Sequence, residues 1–578
     1  MIRLLVSLVA GAVAVSAQAS QTATAAPPTP KARLEGRVLN QNTGEPVRKA
    51  NLHLRMLQAL GMGAVQPDMS MYVVASDAEG KFVFDDLDPG RYTLSADRAG
   101  YVRQTYGARS SNSGGTNLTL DSGQEMKDIV FKLVPQATIS GKVTDEDGDL
   151  INGGFVQVLR SSYIRGVKQL VPYGSGSVQP DGAFLIGNLA AGRYYISASD
   201  SNSMGGGGVP ERYGRKGPET GYATTYFPNA LDIESAAPVD IAAGAELRGI
   251  EIHLRKVQIF HVRGKVVANV AGTDPQNQLL FLTRKNDGEV FSYQRWNAST
   301  RGRDAAFEFR HLIPGTYVIQ NNVTRGAQGA IAVAHYEVTV SDQDVNDLVV
   351  PLTAGIEITG TMKVEGSDSL QVSAPQQPAA APAAQPSITL QPIQSDPNFG
   401  SPFARANDDG TFQIRGIIPN KYRLSTNQLP DGTYIKTIRF GGQDITKTDL
   451  DLTAGTGGAI EILLSPNASD VSGVVRNDNG EAVPGVMVSL WNPGTSSDPP
   501  KIANTDQNGA FKIRNLGPGE YRVAAFEDIE PGLIQDPDFR QRFDTQAITV
   551  KIGENAHEND ELKMISKAAI DAEVAKIK

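Results

Sequence analysis

The sequence predicts an all-β chain built from five repeated sandwich units, and three observations carry that expectation. A nine-residue phrase recurs five times: DLDPGRYTL (86–94), NLAAGRYYI (188–196), HLIPGTYVI (311–319), GIIPNKYRL (416–424) and NLGPGEYRV (515–523). Around each copy, apolar residues alternate with period two, the spacing of half-buried strands. The 59 glycines and 33 prolines, beside abundant Val, Ile, Thr and Tyr, suit many strands joined by tight turns.

The chain begins with a processing signal. Arg3 supplies the positive end, Leu4 to Val15 an apolar stretch, and Ala17-Gln18-Ala19 a small-x-small cleavage pattern, so 1–19 reads as a signal peptide and 20–32 as a linker. That stretch is too short for a lasting membrane span, and no other run approaches one. There are no cysteines, which excludes disulfides, thiolate catalysis and a lipid-carrying cysteine. The formal charge of −9 argues against nonspecific nucleic-acid binding. The expected location is therefore outside the cytoplasm: periplasm, outer surface or medium.

Each repeat opens on a strand carrying glycine: LEGRV (34–38), ISGKV (139–143), VRGKV (262–266), ITGTM (358–362) and VSGVV (471–475). A leading aromatic follows at Phe82, Phe184, Phe307, Phe412 or Phe511, with Leu87, Leu189, Leu312, Ile417 or Leu516 five residues on. Ten residues after each Phe stands Tyr92, Tyr194, Tyr317, Tyr422 or Tyr521. A Tyr just past a turn, able to reach backbone with its hydroxyl, is the corner device of β-sandwiches. Gly90, Gly192, Gly315 and Gly519, with Asn420, are expected to take positive φ in that turn. The repeats divide the chain into β-sandwich units at 33–136, 137–257, 258–354, 355–467 and 468–560. Their short junctions suggest a stiff string of beads. A Pro/Ala-rich insertion (374–386) interrupts the fourth unit. The tail 561–578 reads either as a helix with Ile565, Ala569 and Ala572 inward or as a frayed end.

The opening G-x-V, the D-x-x-G-x-F step and the L-x-P-G-x-Y phrase resemble the carboxypeptidase regulatory-like domain, most clearly in GRVLNQNTGEPV (36–47), GKVTDEDGDL (141–150) and GVVRNDNGEAVPG (473–485). In the third repeat Ala305-Ala306 replaces the x-Gly step. The resemblance implies a transthyretin-like (Ig-like), seven-stranded Greek-key sandwich, a fold often grouped with carbohydrate-binding-like domains. The tandem arrangement is similar to secreted proteins of bacteria with large envelopes. The motif lies in turns and core, so it specifies fold and leaves function to the sites.

The pattern carries no catalytic constellation. A zinc carboxypeptidase needs H-x-x-E plus a distant His, and none of His53, His253, His261, His311, His335 and His557 is followed three residues on by Glu. The positions four residues after the repeated Tyr are Ala96, Ala198, Asn321, Thr426 and Ala525, so the acid that assists pilus isopeptide bonds is missing. DEDGD (145–149) reads as a hairpin turn, and the glycine-rich SMGGGGVPERYG (203–214) as a surface loop without the phosphate-binding ending. No metal site and no cofactor are expected.

What remains is aromatic surface. Tyr101, Tyr106, Tyr213, Tyr222, Tyr226 and Phe227 fall in long inter-strand segments beside Arg, Asn and Ser, and Trp491 ends a strand at a loop. Flat rings near amides suit stacking on sugars, and the same rings equally suit sealing loops and junctions. The expectation is an exported, non-enzymatic binding protein of the cell envelope, with a polysaccharide or glycan, or an envelope protein, as partner. The alternatives are a structural spacer or interaction scaffold for an outer-membrane receptor or secreted hydrolase, and an enzyme whose site is assembled at a domain junction.

Overall fold

The computed structural model describes residues 30–57, 71–110, 113–151, 153–164, 167–201, 219–285, 295–321, 324–325, 331–367, 370, 385–393, 401–493 and 498–577. The stretch 1–19 expected to be a signal peptide, most of the Pro/Ala tract and Tyr213 with its glycine-rich segment lie outside the described residues. Five groups of buried side chains follow one another along the chain, bounded by Ala32 and Leu133, Ala137 and Leu254, Phe260 and Leu352, Ile356 and Leu464, and Val471 and Leu562.

In the first repeat the opening strand Ala32–Asn40 lies antiparallel to Lys81–Leu87 and parallel to Glu125–Leu133, forming a three-stranded sheet. The facing sheet holds Asn51–Met56, Met71–Ala75, Gly90–Asp97, Gln104–Thr105 and Asn117–Leu120. The plan recurs down the chain, and the leading Phe, the Leu or Ile and the Tyr of every repeat are buried between the two sheets. The fifth repeat departs from it, because Gly519–Phe526 also pairs with His557–Ile565 and so joins its two sheets into one path.

The opening glycines have a steric reason. A Cβ on Gly36, Gly141, Gly264 or Gly473 would come within 2.1, 1.8, 2.2 or 1.8 Å of a backbone oxygen on the parallel partner strand. Any larger residue forces the two strands apart.

The repeated Tyr forms the expected corner in all five units. Its hydroxyl donates to the carbonyl four residues back: Tyr92 to Asp88 at 2.6 Å, Tyr194 to Ala190 at 2.8 Å, Tyr317 to Ile313 at 2.6 Å, Tyr422 to Ile418 at 2.6 Å and Tyr521 to Gly517 at 2.8 Å. Burial pushes the Tyr194, Tyr317, Tyr422 and Tyr521 hydroxyls up to about 12, so each remains a donor at any physiological pH. The backbone of the phrase corrects the sequence reading. Positive φ falls on its first residue, at Asp86, Asn188, His311, Gly416 and Asn515 (58°, 58°, 59°, 73° and 61°), and not on Gly90, Gly192, Gly519 or Asn420. In each repeat that residue sits where the register of the strand against its opening partner slips, so a bulge rather than the turn needs the left-handed conformation.

Two further corrections concern the fifth repeat. Short helices at Pro531–Ile534 and Pro537–Gln541 seat Leu533, Ile534, Phe539 and Phe543 in a second apolar cluster with Phe526 and Trp491. The tail continues as strand to Ile565 and becomes a helix only at Lys567–Val574, which buries Ile570 and leaves Ala572 exposed. Among the described residues no helix is long and apolar enough to cross a membrane.

The chain folds back instead of running as a string. Arg109 of the first repeat pairs with Glu527 at 2.9 Å, and the Ser110 hydroxyl donates to Asp528 at 2.8 Å. Thr119 and Gln507 exchange two hydrogen bonds of 3.0 Å each. Glu530 accepts from the Ser162 hydroxyl and the Tyr163 amide of the second repeat. Period-two patterning sets each sandwich but carries no signal for contacts some 400 residues apart, which is why the sequence reading missed them.

Candidate functional site

The second repeat passes into the third almost without a linker, Glu246–Leu254 giving way to the thirteen-residue strand Lys256–Ala268. The segment Glu219–Tyr222, from the second repeat, adds antiparallel to the start of that strand, Glu219 opposite Ile259 and Tyr222 opposite Lys256. The segment Glu219–Tyr222 is thus anchored on the third repeat.

This placement decides the fate of the sequence-predicted aromatics. The Tyr222 hydroxyl donates to Asp145 at 3.0 Å, and Lys256 lies 3.1 Å from the same carboxylate and 5.7 Å above the Tyr222 ring. Lys256 holds the Asp145 carboxyl down near 2, helped by backbone amides from Asp149 and Asp147. The DEDGD run is therefore a hairpin turn whose first aspartate is committed to the junction. Tyr226 pairs with Ser197 across the sheet, and burial raises its hydroxyl. In the first repeat Tyr106 packs 6.0 Å from Phe131, and Tyr101 accepts a 3.3 Å hydrogen bond from Asn40. All four rings are half-buried, Tyr101 and Tyr106 against the core of the first repeat and Tyr222 against that of the second. Trp491 corrects the expectation outright: it is 4% exposed, inside the apolar cluster built by the two short helices.

The structure assembles a different site, from residues the motif search passed over. On the opening strand of the third repeat Phe260, Val262 and Val266 face the core, so His261, Arg263 and Lys265 face outward. On the neighbouring strand Ala306–Leu312, Phe307 and Phe309 face the core and Glu308 and Arg310 outward. Register sets Arg263 opposite Glu308. An outward sheet face is ordinarily wet, yet the Glu308 side chain is 3% exposed and His261 is 6% exposed.

Those charges survive burial because they are paired. Glu308 Oε1 accepts from Arg263 Nε at 2.7 Å, and Oε2 from Arg310 Nε at 2.8 Å and Nη2 at 2.7 Å. His261 Nδ1 lies 3.2 Å from Glu308 Oε1, close enough for charge attraction though not aligned as a hydrogen bond. His261 Nε2 faces Glu219 Oε2 at 2.9 Å, across the junction. Asp344 closes the set, accepting the His261 backbone amide at 2.9 Å and Arg263 Nη1 at 2.7 Å. Burial alone would raise the Glu308 carboxyl, but the nearby His261 and the Arg310 and Arg263 donors outweigh it and hold it at about 2. Burial opposes charge on His261 as well, and the Glu308 and Glu219 carboxylates overrule it, raising that pKa. His311, 6.4 Å away, is lowered by burial.

Above this network opens a cleft of about 1400 Å³, with the charged floor at its centre and Gln258, Lys265, Arg303, Asp304, Gln343 and Asp347 on its exposed rim. Beside it Ala305 holds a φ of 48°. The first, second, fourth and fifth repeats place Gly80, Gly182, Gly410 and Gly509 there, at 72–79°. A β-carbon kept in the left-handed region is a strained choice, and it stands in the wall of the cleft. Among the described residues no three His, Asp or Glu side chains are grouped as metal ligands. One signal was legible beforehand: aligning Gly264 with Phe307, as Gly36 aligns with Phe82, sets Arg263 against Glu308 on the outer face.

Comparison with known proteins matches two stretches, residues 33–134 and 470–535, to the carboxypeptidase regulatory-like domain. Colossin-A of Dictyostelium discoideum is 22% identical over 310 residues, 48% of this chain and 3% of that protein, so the chain spans a small fraction of its relative. Among solved structures, the TIE protein of Bacillus anthracis is 12% identical, covering 74% of this chain and 73% of its own at a TM-score of 0.14. The major pilin BcpA of Bacillus cereus is 11% identical, covering 56% and 100% at 0.14. The minor pilin GBS52 of Streptococcus agalactiae is 15% identical, covering 39% and 96% at 0.21.

Proposed function

We propose that this chain, of which residues 33–134 and 470–535 are carboxypeptidase regulatory-like domains, is a non-enzymatic binding protein of the cell envelope. It takes a polysaccharide into the cleft on the outer face of its third repeat, to which the second repeat contributes Glu219. The cleft carries the reading: at about 1400 Å³ it exceeds the ~300–1,000 Å³ of sites for drug-sized ligands, as an extended ligand requires. Amide, ammonium, guanidinium and carboxylate groups on its rim offer donors and acceptors together, matching sugar hydroxyls that both give and take hydrogen bonds.

The floor favours holding over catalysis. Glu308, kept ionised by its cationic neighbours, has no proton to give near neutrality, and its oxygens already accept from two guanidinium groups. The envelope assignment rests on the signal-peptide pattern of residues 1–19. Against the spacer alternative stands the return of the fifth repeat onto the first and second, which shortens the molecule that a spacer would extend. Titration of the full chain against a panel of envelope and plant polysaccharides tests the proposal. Saturable binding is expected for at least one, and a flat response across the panel overturns it.

A further inference from the structure

We propose that His261 is a pH-sensitive latch that fastens the strand Glu219–Tyr222 at the edge of this cleft, so that the junction of the second and third repeats is closed in mild acid and loosens as pH rises. The inference rests on the binding reading for its consequence but not for its geometry. His261 touches both repeats, with Glu219 at 2.9 Å on one nitrogen and Glu308 at 3.2 Å on the other. An imidazolium has two donor nitrogens and suits two carboxylates; a neutral imidazole has one.

The groups facing His261 decide which contact fails. From the strand 306–312 come Glu308, Arg310 and His311, from its own strand Arg263, from the turn before 345 Asp344, and from the second repeat Glu219. On loss of the proton Glu308 keeps Arg263 and Arg310, so it stays paired. The Glu219 side chain is 42% exposed and turns to water instead. Strand Glu219–Tyr222 is four residues long and, among the described residues, pairs with the stretch 256–259 alone, so losing its anchor at Glu219 leaves one end to fray. The sign follows from linkage. A histidine whose pKa is raised in the folded state contributes stability that is whole below its ordinary value near 6.5 and is lost as pH climbs through the raised value.

Hydrogen exchange by mass spectrometry on the full chain, corrected for the intrinsic pH dependence of exchange, tests this. Between pH 5.5 and 8.5, protection of the amides of 219–222 and of 256–259 should fall by roughly tenfold, while the 471–476 strand stays level. In His261→Gln the fall should vanish. Glu219→Gln, which leaves the buried Glu308 pairs intact, should flatten it as well and guards against a misfolded histidine variant. A level wild-type profile, or a fall that persists in both variants, overturns the latch. Polysaccharide binding at pH 5.5 and 8.5 is read separately. Loss of protection without binding at either pH sinks the ligand reading and leaves the latch standing; binding with level protection does the reverse.

Discussion

The outer faces of the first and third repeats share one register and differ in nearly everything else. Gly36 stands opposite Phe82 as Gly264 stands opposite Phe307, so Arg33, Glu35, Val83 and Asp85 occupy the places of His261, Arg263, Glu308 and Arg310. Both faces carry ion pairs. In the first repeat Arg33 reaches Glu35 at 3.2 Å and Asp85 at 3.1 Å, with side chains one third to more than half exposed. In the third, Glu219 of the second repeat reaches the face, and Glu308 and His261 are buried beneath partly exposed partners. Identical architecture therefore yields a solvated surface in one unit and a charged, sheltered floor in the other. A neighbouring loop makes the difference, not the sandwich.

Several substitutions sharpen that contrast, starting with the largest. Glu308→Ala removes the buried carboxylate that Arg263, Arg310 and His261 share, leaving Asp344 to Arg263 and Glu219 to His261, and should cost about 3–5 kcal/mol, whereas Glu35→Ala should cost at most about 1 kcal/mol. Denaturant unfolding followed by Trp296, which packs edge-on against Tyr317 in the third repeat, measures the first; equal costs for the two would erase the contrast. Acid attacks the same network more gently. The Glu308 carboxyl is lowered to about 2 from an ordinary 4.5, so its contribution is whole above 4.5 and is lost as pH falls toward 2. A third repeat that unfolds last on acid titration would contradict this.

The corner should show no contrast. Tyr92→Phe and Tyr317→Phe each orphan a carbonyl and should each cost about 1–2 kcal/mol, so a large difference between them would break the common architecture. The smallest effect has opposite signs in the two repeats. Ala305→Gly relieves a left-handed alanine and should stabilise by about 0.5–1 kcal/mol, while Gly80→Ala brings a β-carbon to 2.5 Å from the Val38 carbonyl oxygen and should destabilise. Thermal melts of the two variants read both signs.

The sandwich was legible in the sequence because its determinants are local. Phe82, Leu87 and Tyr92 lie within eleven residues, and the corner bond spans four. The left-handed residue was misplaced because Pro-Gly suggests a turn, while the slip in register that selects Asp86, Asn188 or Asn515 exists only between paired strands. Trp491 was misread because the helices that bury it arise from LIQDPDFRQRF (533–543), a stretch outside the repeat. The candidate site draws on residues from 219 to 347, and only the pairing of Arg263 with Glu308 could be drawn from the alignment of repeats. The contact of Glu219 with His261 depends on Glu219–Tyr222 reaching across a junction, which no period or motif encodes.

The most direct measurement is calorimetric titration of the full chain with a polysaccharide that saturates it, beside two double variants. Gln258→Ala/Arg303→Ala strips the rim of the cleft; Glu35→Ala/Arg37→Ala strips the corresponding face of the first repeat. The account predicts at least tenfold weaker binding for the first and unchanged binding for the second. Equal affinity in all three proteins would contradict it and place the ligand elsewhere on the chain.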